Sequence, residues 1–382
     1  MRARVTEAFF VATIMGILGS GILLWLPQKS LSLVLGPSSK AWEYASPYLL
    51  IRSLTFVPAI LSSVGFAVFR GNMDVVTPLR IALFSNLLNV IVDPLLIFNA
   101  NMGVAGAAAA TCLAEASSFV LYMREMVRKK YLDLRNFTRM PKWSSLKPLL
   151  VGGVGVQMRA VAMNIAFLAV TRTTQALDAD GTAAAAHAIT IQLWQLGGIV
   201  LLALSTVASI LVPREMATFS GDIGNSEDGH VLRRSRAIAN RMFVWGLIMG
   251  IVLGSLQLAA LPLLKVFSPL PDVQDAARIP SVVGACLQII NGAVFIGEGI
   301  QQGNQYFASL AVVTALAAGA MLTFLKYFGN SLTGVWASFA IFNLIRLSGV
   351  TYHHFWDGPL APRNIAKYDK TSRLQSAVGK AD

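Results

Sequence analysis

The residues best suited to chemistry in this sequence lie in the apolar segment 77–98. Its stretch NLLNVIVD places Asn86, Asn89 and Asp93 at positions i, i+3 and i+7, which share one face of a helix. Two amides and a carboxylate supply oxygen ligands and one titratable charge, a set that suits a proton or a hydrated monovalent cation. Two other interpretations stay open: a hydrogen-bond cluster that holds helices together, or an Asp93-Pro94 helix end at the membrane surface.

A second polar face lies in the apolar segment 103–123, where Thr111 and Glu115 are one helical turn apart. We expect Glu115 either to join Asp93 or to form a structural ion pair with Arg52. The ion pair is preferred, because a lone charge at membrane depth is costly. Alternatively, Arg52 extends its guanidinium toward water from a helix end.

The second half of the chain carries a further polar face. Glu298 is expected to bind a cation or substrate, or to pair with a structural partner such as Arg159. His187 is expected to be a packed, satisfied side chain, with a proton relay as the alternative. The residues considered for a substrate cavity or second polar site are Asn291, Glu298, Gln302, Arg159, His187, Gln192 and Glu115.

The composition indicates that lipid, rather than water, surrounds most of this chain. Charged residues are 13% of the 382, about half of the roughly 25% usual in soluble domains, and 55% are hydrophobic. This excludes a soluble globular protein and a disordered one. The net charge of +12 comes from basic residues between apolar segments, which disfavours nucleic acid as a partner. Cys112, Cys286 and four histidines form no metal or disulfide pattern, so we expect no metal. The sequence carries no soluble-enzyme signature and no Walker loop, so we expect no enzyme and no cofactor.

Ten apolar segments reach the roughly 20 residues that a membrane-spanning helix needs. They predict an all-α polytopic membrane protein with membrane lipid around it. The segments are 6–27, 44–69, 77–98, 103–123, 147–171, 182–212, 240–264, 278–301, 306–327 and 331–353.

Basic residues between the segments predict the orientation of the chain. Of the Lys and Arg residues, 22 fall on the side of both termini and six on the other side, which places both ends in the cytoplasm. The segments 125–146 and 213–239 are the long polar connections, and the tail after Trp356 is expected to be loosely ordered.

An internal repeat relates the first four helices to the last four. Gly and Pro markers recur at spacings of 231–235 residues: Pro27 and Pro262, Gly71-Asn72 and Gly303-Asn304, Gly103-Val104 and Gly334-Val335. Helices five and six have no partner, so the arrangement is 4 + 6. The predicted divisions are an incomplete N-terminal lobe at 1–124, a basic cytoplasmic linker at 125–146, a C-terminal lobe at 147–356 and a polar tail at 357–382.

Several stretches resemble one family of transporters. FRGNMDVVTPL (69–79), NLLNVIVDPLLIF (86–98), YLLIRSLTFVP (48–58) and AAAHAITIQLW (184–194) are similar to motifs of the multidrug and toxic compound extrusion (MATE) family, in particular its DinF-like eukaryotic branch. The resemblance extends over nearly all of residues 8–350. It implies cation-driven antiport of organic compounds through a two-lobed cavity by alternating access.

The resemblance also implies which residues bind the coupling ion. The family's Asn-x-x-x-Asp pair corresponds to Asn89 and Asp93, and its threonine corresponds to Thr111. The family has twelve helices in a 6 + 6 arrangement, and its first two, one of which carries a further Asp, have no counterpart in this chain. A longer gene product that encodes two more spans upstream is therefore expected.

The leading hypothesis is a secondary active transporter that exports xenobiotics or metabolites in exchange for H⁺ or Na⁺. The alternatives are a flippase for lipid-linked or amphiphilic substrates and a truncated, transport-dead or regulatory membrane protein. We infer a small organic substrate and no obligate protein partner. The plasma membrane, vacuole and plastid envelope are the candidate locations.

Overall fold

Long helices make up most of the described residues. The computed structural model describes residues 2–32, 42–132, 143–178, 180–217, 219 and 226–367, and every regular element among them is helical. The predicted fold class, an all-α polytopic membrane protein, is confirmed. The chain divides into two compact units, Met1–Leu150 and Val151–Asp382.

Six helices build unit one. They are α1 (Arg2–Trp25), α2 (Pro27–Ser32), α3 (Trp42–Leu54), α4 (Phe56–Gly71), α5 (Val76–Pro94) and α6 (Gly103–Arg128), with a π-helical turn, Leu95–Asn99, extending α5. Unit two begins within α7 (Trp143–Gln175) and continues through α8 (Thr182–Met216), α9 (Ser226–Ala259), the short α10 (Leu264–Phe267), α11 (Pro271–Gly303), α12 (Phe307–Phe328) and α13 (Leu332–Tyr352).

Nine helices in the described ranges are long and apolar enough to cross a membrane, or ten if α3 and α4 form one span. The α3–α4 pair bends by 54° at Thr55, inside the segment predicted as one span at 44–69. Pro58 explains the break, because its ring clashes with the Leu54 carbonyl and it has no N–H to donate to that group.

The internal repeat reappears in the backbone. Helices α4 and α11 both end at a glycine and are capped by an asparagine, Asn72 and Asn304. The next residues, Met73 and Gln305, both adopt left-handed backbone angles, with φ of 61° and 66°. Non-glycine residues rarely take such angles, so the shared turn supports the sequence relationship between these two helix ends.

Helix α11 forms the centre of unit two and packs against α8, α9 and α13. Small residues permit this close approach: a Cβ added at Gly292 of α11 would collide with the carbonyl oxygen of Gly246 in α9. On the other side, Trp194, Trp336 and Phe339 belong to the largest buried apolar cluster described in this unit.

Two of the segments expected to be irregular are partly helical. Residues 226–239, part of the predicted polar connection 213–239, form the first turns of α9, because Leu232 and Ala239 bury one face of them. The first part of the tail also folds: Leu360 and Ile365 join the same apolar cluster. Residues 133–142 of the predicted basic linker and 368–382 of the tail lie outside the described residues.

Candidate functional site

Asn89 and Asp93 lie one turn apart on α5, where positions i and i+4 share a side of the helix. With the Asn89 amide oriented by its hydrogen bonds, Nδ2 donates to Asp93 Oδ2 at 2.9 Å, and Oδ1 accepts from the Thr111 backbone N–H at 3.3 Å. The Thr111 hydroxyl donates to the Ala107 carbonyl at 2.9 Å. The amide therefore ties the carboxylate on α5 to the backbone of α6.

The second carboxylate oxygen of Asp93 has no protein partner among the described residues. Oδ1 is buried and accepts no hydrogen bond there. An unsatisfied buried acceptor costs about 1–3 kcal/mol, and more when it is charged. A proton or a monovalent cation at this oxygen would remove that cost. The arrangement therefore suits reversible binding of a small cation.

A cavity of about 470 Å³ lies beside this pair, between α4, α5 and α6. Asn86, Asn89 and Thr111 line it, so three of the four predicted cation-site residues face one space. Asn86 is exposed, whereas Asn89 and Thr111 are half-buried. The remaining polar lining comes from Ser62, Ser63, Ser85, Glu115, Ser118 and Tyr122. These polar side chains can coordinate an ion or hydrogen-bond to a water molecule inside a membrane-embedded protein.

Glu115 pairs with Arg52. Nη1 and Nη2 of Arg52 donate to the two carboxylate oxygens of Glu115 at 2.6 and 2.9 Å. Thr55, the residue at the break between α3 and α4, donates to Glu115 Oε2 at 3.2 Å. The preferred structural ion pair is therefore present. Arg52 does not extend to water as a snorkelling side chain, because the break places it beside α6.

Glu298 is held by two arginines. Arg346 of α13 donates from Nε and Nη2 to the two oxygens of Glu298, each at 2.8 Å, and Arg159 of α7 donates to Oε2. Arg346 Nη1 also donates to Asn343 Oδ1 at 3.0 Å. The side chains of Arg346 and Glu298 are 2% and 8% exposed. Arg159 was the partner expected from sequence, and Arg346 was missed, although an arginine inside the apolar segment 331–353 was the available signal.

The other candidates of unit two make no hydrogen bond to Glu298 among the described residues. Asn291 is buried with neither amide atom hydrogen-bonded among the described residues, and Gln302 is exposed at the end of α11. His187 packs against the rings of Trp336 and Phe339, with centroids 5.9 and 6.3 Å away, as expected for a packed side chain. It is not satisfied, however, because its buried Nδ1 has no hydrogen-bond partner among the described residues.

His187 also faces a second cavity. A space of about 670 Å³ between α7 and α8 is lined by His187, Asn164 and Gln195, with Phe167 among its apolar walls. Gln192 is exposed and does not line it. The proposed substrate-cavity set is therefore not gathered in one place. His187 lines this space, Glu298 and Arg159 form an ion cluster, and Glu115 pairs with Arg52. Asn291, Gln192 and Gln302 join none of these.

Across the described ranges, no three His, Cys, Asp or Glu side chains are grouped so that they could hold a metal ion. Cys112 Sγ instead lies 3.0 Å from the Thr55 hydroxyl oxygen and donates to the Ile51 carbonyl at 3.4 Å.

Comparison with known proteins gives consistent matches. Residues 1–95 match a protein-family model described as MatE. The chain is 26% identical over 361 residues to Protein DETOXIFICATION 43 of Arabidopsis thaliana, covering 92% of this chain and 65% of that protein. It is 25% identical over 346 residues to Protein DETOXIFICATION 42 of the same plant, covering 89% and 64%. The chain thus spans just under two thirds of these relatives.

A solved structure shares the fold. The outward-facing conformation of a multidrug resistance MATE family transporter of the MOP superfamily superposes with a TM-score of 0.79. The alignment covers 97% of this chain and 80% of that chain at 16% sequence identity. At this identity the likeness concerns the fold alone.

Proposed function

We propose that this chain, which belongs to the multidrug and toxic compound extrusion family, is a secondary active transporter. It exports organic compounds across a membrane in exchange for protons or sodium. The names of the two plant relatives, DETOXIFICATION 43 and 42, and the match of residues 1–95 to the MatE family model support this class of activity.

One observation carries the proposal. Asp93 presents a buried carboxylate oxygen without a partner among the described residues, while its other oxygen accepts from Asn89. A carboxylate at membrane depth that lacks an ion pair is stable only when a proton or cation joins it. Asp93 therefore serves as the residue that binds and releases the coupling ion.

The neighbouring charges support this assignment. Arg52 and Glu115 neutralise each other through two hydrogen bonds, so the Arg52 cation is not left to neutralise the Asp93 carboxylate. Glu115 stands one turn from Thr111 on α6, which fixes that helix against the broken α3–α4 pair. The ion pair thus holds the backbone that orients Asn89, and Asp93 remains the one member of the site that exchanges its ion.

A proteoliposome assay tests the function. The purified chain is reconstituted, and uptake or release of ethidium is followed by fluorescence under an imposed pH gradient, an imposed sodium gradient, or neither. Gradient-dependent movement that collapses on addition of nigericin or monensin is expected. Movement equal to that of protein-free liposomes under every gradient would refute the proposal.

A further inference from the structure

A basic pocket lies where the chain enters α9 and leaves α13. Its volume is about 360 Å³, and Arg233, Arg236 and Asn240 of α9 supply its polar wall. Pro362 and Ile365, from the segment that follows α13, supply apolar wall. This pocket belongs to neither the cation site nor the Glu298 cluster.

The pocket is a built feature of the fold. Arg236 Nη1 donates to the carbonyl oxygens of Leu360 and His354, the latter at 3.4 Å. Leu360 and Ile365 are buried in the same apolar cluster as Leu232 of α9. The segment after α13 is therefore fastened across the first turns of α9, and its exposed Arg363 and Lys367 add charge beside the pocket.

Aromatic residues place the pocket at the membrane surface. Tyr352, Phe355 and Trp356 at the end of α13 are 58%, 47% and 52% exposed, and such aromatic residues concentrate at the lipid–water interface. The Arg236 guanidinium carbon lies 5.7 Å from the Phe355 ring centroid. Arg241 is the last charge before the apolar part of α9, and it lies five residues, or about 8 Å of helix, beyond Arg236. The pocket therefore lies close to the start of the apolar part of this helix.

The electrostatic balance favours an anion. None of the described residues that line the pocket is acidic. Beyond the lining, the exposed Arg234 and Arg241 add positive charge, and Glu215 offsets part of it at 3.8 Å from Arg234. Basic pockets at the cytoplasmic ends of membrane helices typically bind lipid phosphate groups.

We propose that this pocket binds the phosphate headgroup of an anionic membrane phospholipid. A lipid is favoured over a soluble phosphate compound because α9 continues below the pocket with exposed apolar side chains. Val244 and Trp245 are 55% and 57% exposed and offer a surface for acyl chains. The lipid would fasten α9 and the segment after α13 to one another and to the bilayer surface.

Native mass spectrometry of the full chain in detergent tests this assignment. The probes are phosphatidylglycerol and phosphatidylcholine, added in turn to the wild-type chain. Arg233→Gln removes one exposed cation of the pocket and is expected to weaken phosphatidylglycerol binding about fivefold, while phosphatidylcholine binding stays unchanged. Arg278→Gln is the matched control, because Arg278 is exposed near the start of α11, at the opposite end of the bundle.

Three results would overturn the proposal. One is an equal loss of both lipids in Arg233→Gln, and another is the same loss of phosphatidylglycerol in Arg278→Gln. The third is displacement of phosphatidylglycerol by millimolar inorganic phosphate, which would assign the pocket to a soluble anion. A second variant, Arg236→Lys, keeps the charge and is expected to retain the preference for phosphatidylglycerol.

Discussion

Arg52 and Glu115 join the two halves of a broken membrane helix to its neighbour. Arg52 is near the end of α3, three residues before the break at Thr55, and its guanidinium makes two hydrogen bonds to Glu115 of α6 at 2.6 and 2.9 Å. Thr55 adds a third at 3.2 Å. Because Thr111 is also on α6, the pair holds in place the backbone N–H that donates to the Asn89 amide oxygen.

Breaking this pair should cost stability. Both side chains are a little over one quarter exposed, so Arg52→Gln is expected to lower the free energy of unfolding by about 1–3 kcal/mol. Thermal unfolding followed by size-exclusion chromatography measures the loss. Arg52→Gln/Glu115→Gln should lose less than the sum of the single variants, since neither partner is then left with an unmatched charge. Strict additivity would contradict the pairing.

The Glu298 cluster predicts an order between two variants. Glu298→Gln leaves two guanidiniums facing each other, one of them only 2% exposed, and should cost about 3–5 kcal/mol or prevent folding. Arg159→Gln should cost much less, because Arg346 still pairs with the carboxylate. Expression and thermal stability in detergent rank the variants. A larger loss in Arg159→Gln than in Glu298→Gln would contradict the shared-carboxylate geometry.

Because α9 packs closely on α11, a methyl group added between the two helices is expected to destabilise the protein. Gly292→Ala places a methyl group against the Gly246 carbonyl and should cost about 1–3 kcal/mol or more. Gly319→Ala on α12 is the control, since nothing lies within 4 Å of its added Cβ. Melting temperatures of the two variants should differ clearly, with Gly319→Ala at or above wild type. Equal melting temperatures would argue against the helix contact.

Asp74, in the loop between α4 and α5, is expected to make the stability of the protein depend on pH. Lys129 and the backbone N–H and hydroxyl of Thr77 hydrogen-bond to Asp74 and hold its pKa well below the usual value of 3.8. A depressed carboxyl pKa gives stability that is present above the unfolded-state pKa and disappears as the pH falls through the folded-state pKa.

Asp74→Asn should therefore lower the melting temperature by the same amount at pH 6 and pH 8, both far above the ordinary carboxyl pKa of 3.8. The difference from wild type should shrink as the pH falls below that value. Melting curves across this pH series check the sign. A difference that grows on acidification would show that Asp74 is not held in its ionised form.

Helical periodicity was sufficient to identify several elements of the site. It placed Asn89 and Asp93 on one face of α5, and the cost of lone charges in lipid led to the Arg52–Glu115 pair. Periodicity did not reveal that Arg346 shares Glu298 with Arg159, because 48 residues separate Arg346 from Glu298 and only the packing of α13 on α11 joins them. Polarity alone misassigned residues 226–239, where buried Leu232 and Ala239 stabilise a helix.

The account depends on Asp93 as the residue that couples the ion gradient to transport. Asp93→Asn keeps the size of the side chain and an acceptor oxygen but removes the titratable charge. Asp275→Asn is the matched control, since Asp275 is 72% exposed and its ion pair with Arg278 lies outside the site. Both variants are reconstituted beside the wild-type chain, and ethidium movement is measured under the pH and sodium gradients.

The account predicts that Asp93→Asn loses gradient-driven movement entirely, while its melting temperature remains near that of wild type and Asp275→Asn transports normally. Transport by Asp93→Asn with an unchanged dependence on both gradients would contradict it.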